Sequence, residues 1–176
     1  DRLNGMYVGT IHGYCFQLLQ HHVPRYETFD VLDENQLNAF AAREANRLGV
    51  KALDPKGKDG LFRSIGAFLK GLDVIENELL DPSVVPEPFA GILENYFVAL
   101  DRYRLLSFGQ QIVRAVRELE RPEVRASVHA ELRHLIVDEY QDVNPAQERL
   151  IELLAGSDVE LCVVGDDDQA IYQWRG

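Results

Sequence analysis

Leu135-Ile136-Val137-Asp138-Glu139-Tyr140-Gln141-Asp142-Val143-Asn144-Pro145-Ala146-Gln147 is where the character of this chain changes. A short, continuous, β-type apolar run ends in two adjacent acids. Asn144-Pro145 then reads as a helix start, with an N-cap side chain and a proline whose missing N–H costs nothing in the first turn. The helix so begun carries Leu150, Ile151, Leu153 and Leu154 and stops at Gly156. Leu161-Cys162-Val163-Val164 is a second apolar run and ends in Gly165-Asp166. Strand, helix and strand in so short a span predict a βαβ unit with two parallel, buried strands. Ligands of an open α/β sheet bind at the carboxyl ends of its strands. Asp138 and Glu139 are therefore expected at the functional edge.

Upstream, the pattern is mostly helical. Residues 6–11 (Met-Tyr-Val-Gly-Thr-Ile) read as a strand running into a turn. From His12 to about His22, Tyr14, Cys15, Leu18 and Leu19 recur at helical spacing, and Pro24 ends the helix. Asp33 with Gln36 three places on is a capping box. Leu37, Phe40, Ala41, Ala45 and Leu48 form the stripe that follows, and Gly49 closes it. Residues 54–60 are a loop. A helix over 61–80 is weakened by Gly66 and Gly71, which leave room for a break. Residues 81–88 hold three prolines and must be a linker or turn. Further helices are expected over 89–106, over 108–120 and from Pro122. The expected organisation is an α/β sheet built from residues 1–20 and 133–176, with 21–132 as an inserted, all-helical subdomain.

Composition narrows the class. The chain has 176 residues, 46% of them hydrophobic, enough for one domain or for a small domain holding a second. No apolar run is long enough to cross a bilayer, and the first residues lack the apolar core of a signal peptide. Cys15 and Cys162 stand in no metal-like spacing and read as reduced, buried thiols of a cytoplasmic protein. His21-His22 is a tempting pair. Adjacent helical side chains diverge, however, and no Cys or carboxylate stands at zinc spacing. Taken alone, the net charge of −11 argues against nucleic acid, which usually wants a basic face. From Arg133 onward there are ten acids against three arginines, a balance that suits a metal-nucleotide site.

An acid pair after an apolar strand can hold Mg²⁺ beside a nucleotide and orient or deprotonate a water. A solvated acidic turn has the same look. The second segment weighs against that plainer reading. Val163-Val164-Gly165-Asp166-Asp167-Asp168-Gln169-Ala170-Ile171-Tyr172-Gln173-Trp174-Arg175-Gly176 follows a parallel strand and so arrives at the same edge. The Gln169 amide can sense a γ-phosphate or a water without adding charge. Tyr172 and Trp174 beside Arg175 suit a stacking platform for unpaired bases. Both aromatics also suit a core.

These two segments resemble helicase motifs II and III of the UvrD/PcrA/Rep family of superfamily 1, in their order and separation. Thr10-Ile11-His12-Gly13-Tyr14-Cys15 resembles the DNA-contacting Thr-Phe-His-Ser segment of the same family, with Ile11 for its Phe and Gly13 for its Ser. Ser107-Phe108-Gly109-Gln110 stands where relatives often carry an acidic Phe-Asp-Asp stretch. The resemblance implies an internal segment of the first motor domain. That segment would be part of a RecA-like P-loop NTPase parallel sheet with its large helical insertion. The implied activity is that of an ATP-dependent 3′-to-5′ DNA helicase or translocase. By position, Asp138 would coordinate Mg²⁺, Glu139 would be the catalytic base, and Gln169 would couple the γ-phosphate of ATP to the DNA site. Trp174 would stack on a base of single-stranded DNA with Tyr172 nearby, Thr10 and His12 would touch the DNA backbone, and Arg175 would meet DNA or an internal acid. Gln141 and Asp142 would support the site without a definite role.

No Gly-x-x-x-x-Gly-Lys-Ser/Thr loop is present. Gly57-Lys58 comes nearest, with Ala52 where the first Gly belongs and Asp59 where Ser or Thr belongs. The family's second motor domain, with its arginine finger, is also outside this sequence, and Gly176 ends within a motif. The segment is therefore expected not to hydrolyse ATP or unwind DNA by itself. Two other classes fit parts of the sequence. One is a metal-dependent nuclease using Asp138, Glu139 and Asp166–Asp168. The other is a non-catalytic helical module, residues 33–121, that binds a protein partner.

Overall fold

The computed structural model describes residues 5–166 and 168. The chain divides into two compact units. One joins the residues up to Thr28 to those from Gln111 onward, and the other is Phe29–Gln110.

The first unit begins without the strand expected at residues 6–11. Residues 6–8 form no strand, and Met6, Tyr7 and Val8 are exposed. A β-type run becomes a strand only when another strand satisfies its backbone, and among the described residues none lies beside it. Thr10 instead caps helix α1 (Ile11–His22), its Oγ1 accepting the Gly13 N–H at 3.1 Å. Cys15, Leu18 and Leu19 are the buried residues of α1. Two further helices follow the return of the chain, the end of α5 (Phe108–Leu119) and α6 (Pro122–Glu131). Strand β3 (His134–Val137), helix α7 (Pro145–Leu154) and strand β4 (Glu160–Val163) then make the expected parallel βαβ unit. Leu135 pairs with Leu161 and Val137 with Val163. Asn144 and Gln147 complete a capping box at the start of α7.

The strands differ from expectation in burial. Only Val137 is buried; Ile136 is 67% exposed, and Leu161, Cys162, Val163 and Val164 are all exposed. A parallel pair is buried only where other elements cover both of its faces, and a two-stranded sheet has few neighbours to do so. Cys15 is buried as expected, but Cys162 is an exposed thiol.

The second unit has its own core. Strand β1 (Asp30–Val31) leads into α2 (Glu34–Leu48), α3 (Gly60–Asn77) and α4 (Phe89–Tyr103), and β2 (Leu105–Leu106) pairs in parallel with β1. The capping box at Asp33 and Gln36 and the left-handed Gly49 (φ 83°) bound α2 where the sequence placed them. Phe40, Phe68, Leu72, Leu93, Tyr96 and Leu100 are the centre of the buried cluster. Helix α3 runs unbroken through Gly66 and Gly71. A Cβ on Gly71 would lie 2.7 Å from the Phe89 ring, so that glycine admits the start of α4. The sequence expectation ran α4 on to residue 106. Arg104 in the left-handed region (φ 54°) ends it earlier and releases β2. The Ser107–Gln110 stretch has a structural role here. Ser107 Oγ accepts the Gln110 N–H, and the Gln110 side-chain amide donates to the buried Glu76 carboxylate at 2.8 Å.

Candidate nucleotide site at the strand ends

The geometry that matters lies just past β3 and β4. The backbone ladder continues beyond the strands. Val164 donates to the Val137 carbonyl at 2.8 Å, and Tyr140 donates to the Val164 carbonyl at 2.9 Å. The acid-bearing turn after β3 and the Gly165 turn after β4 are therefore held side by side at one carboxyl edge, where an α/β sheet binds its ligands.

Asp138 and Glu139 are both exposed at this edge. Asp138 Oδ1 accepts the Glu139 N–H at 3.0 Å. Glu139 adopts a left-handed backbone, φ 54° and ψ 43°, which a residue with a Cβ rarely does. It reverses the chain into the short 3-10 turn Tyr140–Asp142. Gln141 supplies a link that the sequence left without a role. Its amide nitrogen donates to Glu139 Oε2 at 2.6 Å, and its amide oxygen accepts the Asp166 N–H at 2.9 Å. One side chain thus ties the acid pair to the second turn. Gly165 is where the two turns touch. A Cβ there would lie 2.7 Å from Gln141 Oε1, 3.2 Å from the Gln141 backbone nitrogen and 3.3 Å from that of Tyr140. Asp166 in turn accepts the Asp168 N–H at 3.1 Å.

The donor set suits a hard cation. The edge offers the exposed carboxylate oxygens of Asp138 and Glu139, and Mg²⁺ takes oxygen ligands and keeps several waters. Asp138 and Glu139 fit it on those grounds.

The remaining sequence-predicted residues fall in two places. Thr10 is exposed at the N-terminus of α1, with its hydroxyl oxygen engaged as the cap. His12 is half-buried in the first turn of α1, and burial lowers its pKa from 6.5 to about 4. At neutral pH it carries no charge and can offer phosphate a hydrogen bond but not an ion pair. Gln169, Tyr172, Trp174 and Arg175 lie outside the described residues. Among the described residues no helix is long and apolar enough to cross a membrane.

Comparison with known families matches residues 1–176 to the UvrD/REP helicase N-terminal domain. The chain belongs to that family. Among UvrD/REP relatives, DNA helicase II of Escherichia coli is 33% identical over 184 residues, covering 98% of this chain and 24% of that protein. The ATP-dependent DNA helicase PcrA of Bacillus subtilis is 32% identical over 186 residues, covering 97% of this chain and 24% of its own length. PcrA of Staphylococcus aureus is 28% identical over 191 residues, covering 100% and 25%. The chain thus spans about a quarter of the length of these UvrD/REP relatives.

Proposed function

We propose that this chain is an internal segment of the first motor domain of an ATP-dependent 3′-to-5′ DNA helicase, holding the metal-and-water side of the ATP site. The juxtaposition that carries the reading is the Gln141 bridge, which joins the Asp138–Glu139 turn to the turn after β4 at one sheet edge. The names of the relatives, DNA helicase II and ATP-dependent DNA helicase PcrA, supply the substrate class. Residues 1–20 and 133–176 would belong to a RecA-like P-loop NTPase sheet, with 21–132 inserted. The exposed apolar residues of β3 and β4 support this, because parallel strands are ordinarily covered on both faces.

In the full-length protein Asp138 would hold Mg²⁺, and Glu139 would take the proton of an attacking water. Bound Mg²⁺-ATP supplies the phosphoryl group and offsets its charge. Gln141 positions Glu139 by donating to its carboxylate, which leaves the other oxygen to accept a proton. Gln169, following the second turn, would report the γ-phosphate to Tyr172, Trp174 and Arg175, the proposed contacts to single-stranded DNA. Thr10 and His12 would meet the DNA backbone as neutral donors, consistent with a net charge of −11.

The test is Glu139→Gln in the full-length protein. DNA-stimulated ATP turnover should fall by about a thousandfold or more while single-strand affinity is kept. Unimpaired turnover would refute the assignment. The alternative of a metal-dependent nuclease using Asp138, Glu139 and Asp166–Asp168 is distinguished by Mg²⁺-dependent DNA cleavage by this segment, which the helicase reading does not expect.

A further inference from the structure

His21 and His22 close helix α1, and Glu131 closes helix α6. The two imidazoles do not diverge as neighbours on an ideal helix would. Their rings meet edge to face with centroids 4.7 Å apart. His21 Nε2 lies 3.6 Å from Glu131 Oε1, and His22 Nε2 lies 3.9 Å from Glu131 Oε2. One ligand atom from each of the three residues falls within 4.8 Å of the other two. Zn²⁺ holds imidazole and carboxylate ligands at about 2.0–2.2 Å, which sets tetrahedral neighbours about 3.3 Å apart. The observed separations exceed that spacing by no more than about 1.5 Å.

Two surroundings favour a cation here. The His22 side chain is only 9% exposed, and its Nδ1 is hydrogen-bonded to Ser127 Oγ at 3.0 Å. A ligating histidine is typically fixed in this way through its other nitrogen, and here the bond leaves Nε2 facing Glu131. Finally, two helix C-termini converge on the spot, each carrying partial negative charge on its last carbonyls. Arg133 donates to the His129 carbonyl at 3.1 Å and offsets only part of this.

From this geometry we infer that His21, His22 and Glu131 form a binding site for a divalent transition metal of the Zn²⁺ class. Water completes the coordination, and the ion pins the last turn of α1 to the last turn of α6. The site is separate from the Asp138–Glu139 edge and does not depend on the helicase reading.

The test uses tag-free protein stripped with EDTA, titrated with Zn²⁺ near neutral pH by calorimetry and by competition with a chromophoric chelator. Wild type should bind one Zn²⁺ through this site. His21→Ala and Glu131→Gln, both at exposed positions, should each weaken that binding by about a hundredfold. Ser127→Ala keeps all three ligands and should weaken it by about tenfold. Cys162→Ser, which removes the exposed thiol, should change nothing. Absence of saturable Zn²⁺ binding by the wild type would overturn the proposal. So would binding that survives intact in both His21→Ala and Glu131→Gln.

Discussion

Glu139 turns the chain through a left-handed backbone, and Gly165 lets the facing loop come against it. A Glu in that region is strained by roughly 1–2 kcal/mol, a cost that the surrounding bonds to Asp138 and Gln141 help to offset. Gly165→Ala should separate the two turns, because two of the three nearest atoms are backbone and cannot rotate away. We expect a loss of about 1–3 kcal/mol in urea unfolding, and in the full-length protein a fall in ATP turnover. His12 makes a second prediction at this scale. Its folded pKa, about 4, lies below the ordinary 6.5, so the unfolded chain takes up the proton first. The stability due to neutral, half-buried His12 is fully present above pH 6.5 and is lost as pH falls from there towards 4. Urea midpoints measured across that window should decline, and His12→Gln should flatten the decline. At this scale the Asp138–Glu139 pair was legible because an acid pair after an apolar run is a local pattern. The Gln141 bridge was not, since it depends on a turn some twenty-five residues away meeting the first. Glu131 was hidden from His21 and His22 for the same reason.

Among the elements, those with chemical punctuation were the ones the sequence disclosed. Asp33 with Gln36, Gly49, Pro122 and Asn144-Pro145 each satisfy or forbid a backbone hydrogen bond within a few residues, and each bounds a helix where it was expected. Strands were less transparent, because a ladder needs a second chain segment. Residues 6–8 look β-type and have no partner strand among the described residues, whereas Asp30–Val31 and Leu105–Leu106 look unremarkable and pair. Helix α3 shows the opposite error. Gly66 and Gly71 weaken a helix in isolation, but packing against Phe89 makes use of Gly71. The Asn144 cap gives a measurable case. Asn144→Ala removes the acceptor for the Gln147 N–H and the reciprocal geometry of the box. Chemical denaturation should show a loss of about 1 kcal/mol, with no change in the far-ultraviolet spectrum beyond the first turn of α7.

For the molecule as a whole, the division into two units is the main physical fact. The buried cluster of Leu32, Phe40, Phe68, Leu72, Tyr96 and Leu100 lies wholly within Phe29–Gln110. A unit with its own core can unfold on its own. Residues 29–110 expressed alone should be helical and unfold cooperatively, as read by circular dichroism in urea; a non-cooperative, broad transition would show that the rest of the chain is needed. The parallel pair of β3 and β4 was readable from where apolar periodicity changes. The extent of each unit was not, because a boundary at Gln110–Gln111 falls inside α5 and leaves no break in the pattern.

Asp30 beside Leu105 has one more implication. The strand by which the chain goes in and the strand by which it comes out run in step, about 4.8 Å apart. Whatever is spliced between them is presented on the same narrow footing. Loops between the helices beyond those two rungs can change in length and leave the entrance and exit where they stand, because loop closure costs little more as a loop grows.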